Sequence, residues 1–217
     1  LNGELKEDVM NPKIISGFCF GLLLAVTFCG SVAAQSAAQE QKAAVKLFYV
    51  YSDKGAANSN FFIPSGWMGD YADLTLNNGW SDDVYAGDTC IKISYSNRAS
   101  SGARWAGIYW QNPPNNWGNK ENAGVNLQGV SRLTFWARGE RGGERIEEFK
   151  VGGISGPYPD SDTAGIGPVV LTPEWKQYSI DLRGKNLSHV IGGFAWSANL
   201  DGNPKGCTFY LDEIRYE

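Results

Sequence analysis

The chain has 217 residues, a formal net charge of −4 and only 19% charged residues. Its Lys and Arg residues are scattered, so there is no basic stripe to follow a phosphate backbone, which argues against nucleic acid as a partner. The 27 Gly, 8 Trp, 10 Tyr and 10 Phe describe a packed β protein that also shows aromatic surface, on a length that fits one domain plus an appendage.

The first 34 residues read as an export signal. Leu1–Val9 is acidic and reads as a spurious extension, with Met10 as the better initiator. Lys13 and an apolar run from Ile14 to Phe28 follow, then Ser31-Val32-Ala33-Ala34-Gln35, a small-residue site for cleavage after Ala34. The run also fits a retained anchor, being close to the ~20 residues that span a bilayer; the small-residue site favours cleavage. A lipid on Cys29 is a weaker alternative, since Phe28 stands where such signals carry a small residue. The expected location is therefore secreted, periplasmic or on a bacterial cell surface, with no membrane contact after cleavage. Residues 35–44 form an Ala/Gln-rich linker, and residues 45–217 form the folded domain.

From Val45 onward short strand-like runs alternate with Gly, Pro, Asn and Asp clusters, and no amphipathic helix stands out. Strands are predicted at Val45–Tyr51, Ala72–Leu76, Thr89–Tyr95, Arg104–Gln111, Leu133–Arg138, Arg145–Val151, Pro168–Leu171, Trp175–Leu182, Val190–Ser197 and Thr208–Tyr216. The fold class is all-β: a jelly-roll sandwich of two antiparallel sheets with nine or ten strands. Cys90 falls on the Lys92 face of its strand and Cys207 on the Phe209/Leu211 face, which argues against their pairing. Near strand ends that parity loses force, and the pair stays open.

The segment RWAGIYWQNPPNNWGNK (104–120) is the most informative. Alternation puts Ala106, Ile108 and Trp110 in the core and turns Trp105, Gly107, Tyr109 and Gln111 outward. Trp105 and Tyr109 would then lie about 13 Å apart at ~3.3 Å per residue. A flat aromatic matches the C–H face of a pyranose, and neighbouring amides bond its hydroxyls. Trp117 adds an aromatic in a polar loop. The same alternation turns Trp136, Arg138, Glu148 and Lys150 outward. If their strands neighbour Arg104–Gln111, these four border the same surface. Taken singly, Trp105 or Tyr109 reads as a ring packed under a loop, and the four others read as an ordinary solvated face.

WAGIYWQNPPNNWGNK (105–120), SRLTFWARGERGGERIEEFKVGG (131–153), LTPEWKQYSIDLRG (171–184) and GCTFYLDEIRYE (206–217) resemble bacterial carbohydrate-binding-module-like jelly rolls of the galactose-binding-domain-like group. The resemblance covers nearly all of 45–217 and implies non-catalytic binding of a polysaccharide or cell-surface glycan on an aromatic-lined sheet. It also implies a structural calcium between the first and last strands, with Asp53 and Asp212 at corresponding places; no other cofactor is implied. Without the resemblance, Asp53 opens a turn and Asp212 makes a surface contact. A cell-envelope protein using the aromatic surface for adhesion is the alternative, and a small jelly-roll glycanase or lyase is the third reading. His189 is the only histidine, so Ser-His-Asp and Cys-His mechanisms hang on that one residue, and zinc sites built on two or more histidines are excluded.

Overall fold

The computed structural model describes residues 48–59 and 61–217. The export signal, the linker and the start of the first predicted strand lie outside the described residues. Thirteen strands and one short 3-10 turn make up the rest: β1 (Phe48–Tyr51), β2 (Ile63–Gly69), the turn Tyr71–Asp73, β3 (Leu74–Trp80), β4 (Cys90–Tyr95), β5 (Trp105–Gln111), β6 (Arg132–Gly139), β7 (Arg145–Ile146), β8 (Glu148–Gly152), β9 (Thr163–Ile166), β10 (Val169–Val170), β11 (Lys176–Asp181), β12 (Gly192–Asn199) and β13 (Cys207–Tyr216). No helix among the described residues is long and apolar enough to cross a membrane.

Two antiparallel sheets form the sandwich. One runs β11-β6-β13-β4-β3, with β1 also paired to β13; the other runs β2-β5-β12-β8-β9; and β7 and β10 make a separate two-stranded ribbon. The period-2 patterns explain why the sheets close on each other. Ile91, Ile93, Leu133, Phe135, Phe209 and Leu211 line the inner face of the first sheet, fully buried. Ala106, Ile108, Trp110, Phe149, Phe194 and Trp196 line the inner face of the second. The layers meet ring to ring, with centroids 4.7 Å apart for Phe135–Phe149, 5.3 Å for Phe135–Phe194 and 4.8 Å for Trp196–Phe209.

Three local readings change. Residues 71–73 are a turn and the strand starts at Leu74, running on to Trp80. The predicted strand Arg145–Val151 breaks at Glu147, so β7 joins the ribbon with β10 while β8 joins the second sheet. Two strands without a sequence signal, β2 and β9, form the edges of the second sheet. β2 reads IPSGWMG, and a Pro is tolerated in a sheet only at an edge or a bulge. Its register shifts between Pro64 and Gly66, and the Trp67 indole N–H donates to the Pro64 carbonyl at 3.1 Å.

Cys90 and Cys207 are free and buried. Cys207 pairs with Tyr95 and Cys90 with Trp80, so they sit at opposite ends of β4. Five residues of strand put them roughly 16 Å apart, well beyond the span of a disulfide.

Candidate functional site: the outer face of the second sheet

Register aligns the outward residues of this sheet into rows across the strands. One row is Trp105–Asn199. The next is Met68–Gly107–Ser197–Glu148. The third is Gly66–Tyr109–Ala195–Lys150–Gly165. The middle row is low where Gly107 and Ser197 stand side by side, and a hollow of about 390 Å³ opens at its β8–β9 end, lined by Glu147, Glu148, Gly165, Ile166, Gly167 and Ser197.

Trp105 stands at the start of β5 and is 40% exposed. Its backbone is held from behind: the Asp70 N–H donates to the Trp105 carbonyl at 2.8 Å. The buried Asp70 carboxylate accepts the N–H groups of Ser101, Ala103 and Arg104 at 2.9, 3.2 and 2.7 Å. The Ser101 hydroxyl and these N–H groups hold Asp70 below the usual carboxylate range despite burial. The approach to Trp105 is thereby fixed, and its indole stands on rigid backbone.

Tyr109 faces the same way but is not a free platform. It is 4% exposed and belongs to a small second cluster with Ile154, Ile191 and Ala195 on the outside of the sheet. Its hydroxyl donates to the Gly152 carbonyl at 3.1 Å, and the Trp117 ring stands edge-on to it with centroids 6.0 Å apart. Trp117 is 43% exposed. The aromatic surface at this end of β5 is therefore Trp117, carried on Tyr109.

Gln111 is fully buried and also unavailable to a ligand. Its amide N–H donates to the Asn116 carbonyl at 2.8 Å, and its amide oxygen accepts from Ser65 Oγ at 2.8 Å. The Ser65 oxygen in turn accepts the Asn115 N–H at 2.9 Å. Gln111 thus pins the loop that carries Trp117. A second loop locks the first. The Tyr158 N–H donates to the Gly118 carbonyl at 2.9 Å, and a Cβ on Gly118, at φ +77°, would lie 2.1 Å from the Ser155 carbonyl oxygen, so only glycine allows this approach. Asp160 anchors that second loop, accepting the N–H groups of Ile154 (2.8 Å), Gly192 (3.2 Å) and Ile191. Burial pushes the Asp160 carboxyl up, against these bonds. Tyr158, whose backbone bonds Gly118, is also exposed on the interlocked loops. It was not a predicted site residue.

Glu148 and Lys150 stand on the floor as predicted and pair at 3.3 Å. The Lys150 ammonium lies 5.4 Å from the Tyr109 ring centroid. Burial works against its charge, but the Tyr109 hydroxyl and Glu148 outweigh that and raise its pKa.

Trp136 and Arg138 do not join this surface. β6 belongs to the other sheet, so both side chains emerge on the opposite outer face of the sandwich. Trp136 stacks on Tyr85, and Arg138 pairs with Asp83 at 3.0 Å and lies 3.8 Å over the Tyr210 ring. The eight predicted binding residues thus divide into two exposed indoles, Trp105 and Trp117; a polar pair, Glu148 and Lys150; two buried supports, Tyr109 and Gln111; and two residues on the far side.

Asp53 and Asp212 both hold the loop between β3 and β4. Asp53 Oδ1 accepts the N–H groups of Asp88 and Thr89, each at 2.8 Å. Asp212 Oδ2 accepts those of Tyr85 and Ala86 at 3.0 and 3.1 Å, and its Oδ1 accepts that of Glu213 at 2.8 Å. Burial pushes the Asp212 carboxyl up to about 6, partly offset by these bonds. Among the described residues no group of three or more His, Cys, Asp or Glu side chains is placed to hold a metal ion. Calcium takes six to eight oxygen ligands; here backbone N–H groups bond both carboxylates, and Asp53 Oδ2 takes none of these bonds.

No family model matches the chain, and no curated protein matches it either. Solved structures do. One is a family 30 carbohydrate-binding module, 14% identical, with a TM-score of 0.50, covering 79% of this chain and 98% of that one. Another is the family 30 module of a cellulosomal cellulase of Clostridium thermocellum, also 14% identical, with a TM-score of 0.49, covering 79% and 96%. A third is a xylan-binding family 22 module of Paenibacillus barcinonensis, 13% identical, with a TM-score of 0.43, covering 72% and 89%. The chain has the β-sandwich jelly roll of carbohydrate-binding modules.

Proposed function

We propose that this protein is a non-catalytic carbohydrate-binding module that takes a polysaccharide chain across the outer face of its second sheet. One observation carries the reading: of two exposed tryptophans, Trp105 stands at the start of β5 and Trp117, from the following loop, stands against Tyr109 two rows on, with the low row of Gly107, Ser197 and Glu148 between. Indole faces suit the C–H faces of pyranose rings, while Glu148, Lys150, Ser197 and Asn199 supply donors and acceptors for hydroxyls. Glu148 is the one carboxylate in the three rows, and Glu147 in the adjoining hollow is its chain neighbour, whereas glycoside hydrolysis needs two carboxylates across a cleft; this favours binding over cleavage. A larger hollow of about 460 Å³ lies between the Glu140–Glu144 and Gly202–Thr208 segments, but no tryptophan lines it. Export by the predicted signal belongs to the same reading, and N-terminal sequencing of secreted protein should then start at or near Gln35.

Affinity electrophoresis and calorimetric titration with soluble polysaccharides test the site. Loss of a central aromatic anchor costs about 2 kcal/mol or more, so Trp105→Ala and Trp117→Ala should each weaken binding by at least tenfold with little change in melting temperature. Unchanged affinity in both variants would remove the site from this face.

A further inference from the structure

We propose a second saccharide site on the opposite outer face of the sandwich, built on Tyr85, Trp175 and Asp83. Tyr85 is 41% exposed although one of its faces lies on Trp136, with centroids 3.7 Å apart and planes inclined by 15°. Its exposure therefore comes from its other face and its edge. Trp175 stands beside it with centroids 6.2 Å apart at 62°, so the two rings make a floor and a wall.

The corner is rigid before any ligand arrives. The Trp175 indole N–H donates to the Asp83 carbonyl at 3.1 Å. Arg138 grips the Asp83 carboxylate at 3.0 Å and rests on Tyr210. The N–H groups of Tyr85 and Ala86 are held by the buried Asp212. Holding aromatic rings in place beforehand lowers the cost of ordering them on binding.

The groups around the corner suit a sugar better than an apolar partner. The Asp83 side chain is 67% exposed even while paired, leaving acceptor capacity for hydroxyls. Gln177, opposite Trp136 in the register, is exposed and offers an amide that both donates and accepts. A flat ring face, a second ring at an angle, a carboxylate and an amide are the chemistry of a single pyranose or a short chain end. The Trp105–Trp117 floor lies on the other sheet, so the two sites face opposite directions and one molecule can join two polysaccharide chains.

The test uses the whole chain with mixed-linkage β-glucan, xyloglucan, glucomannan and xylan as probes, read by affinity electrophoresis and by light scattering. Wild-type protein should be retarded and should raise scattering by cross-linking the polymer. Trp105→Ala and Tyr85→Ala should each remain retarded but fail to cross-link, with avidity for immobilised polymer down by about tenfold or more. The double variant should lose retardation, and Tyr85→Phe, which keeps the ring, should behave as wild type. Complete loss of retardation in Trp105→Ala alone would overturn the second site and leave the first. Cross-linking by Tyr85→Ala at the wild-type level would also overturn it, and so would a wild-type protein that none of the four polymers retards.

Discussion

Replacing Tyr109 by Ala separates support from contact on the second sheet. The ring is 4% exposed, carries the Trp117 edge, packs on Ile154 and Ile191 and bonds the Gly152 carbonyl. Truncating a buried aromatic costs about 3–5 kcal/mol. For a domain of this size each kcal/mol moves the melting temperature by roughly 2–4 °C. Tyr109→Ala should therefore melt roughly 6–20 °C below wild type. It should also lose saccharide affinity, because Trp117 loses its foundation. Trp105→Ala, at an exposed position, should stay within about 0.5 kcal/mol of wild-type stability while losing affinity alone. Differential scanning calorimetry and titration on the same two variants read both quantities. A Tyr109→Ala melt within about 2 °C of wild type would refute the picture of a ring clamped beneath two loops.

Asp212 has a folded pKa of about 6 against an unfolded value near 3.9. The folded state thus binds this proton more tightly, and the stabilisation from it is lost as pH rises through about 6. Asp212→Asn should flatten the change in stability between about pH 4 and 6, measured by urea unfolding at several pH values; an unaltered slope would clear Asp212 of that role. Burial pushes the Cys90 and Cys207 thiols up to about 12, so a maleimide should label neither in the native protein and both after denaturation, without reductant. Among the described residues Asp53 and Asp212 belong to no group of three metal-ligating side chains, so chelator should leave the melting curve unchanged; a lower melting temperature would show a cation stabilising the fold.

Inward and outward faces were legible wherever a strand alternates strictly. Ile91, Ile93, Leu133, Phe135, Phe149 and Val151 are all buried as their phase requires, and the two-sheet fold follows from that pattern. Which sheet receives a strand was not legible. In this topology β5 and β6 follow each other in the chain yet belong to different layers, so Trp136 and Arg138 have the expected outward phase on the wrong side for Trp105. Alternation also cannot tell an open outer position from a covered one. Tyr109 is covered by a loop some 45 residues further along, whose path depends on Asp160 and Gly118. Gln111 was expected to meet ligand because it is polar and outward, but its amide is spent on the Asn116 and Ser65 bonds. The edges β2 and β9 carried too much Pro, Gly and Ala to register as strands.

The open edge of β2 is interrupted at Pro64. Pro64 has no N–H to offer, its carbonyl already takes the Trp67 indole, and the shifted register there bends the strand. Unprotected sheet edges invite strand-to-strand pairing between copies, a hazard that grows with local concentration. A protein that gathers many copies along one polymer brings its own edges together far more often than one free in solution. With this border blunted at Pro64, the crowding on a polymer that the proposed function entails need not become self-association at that point of β2.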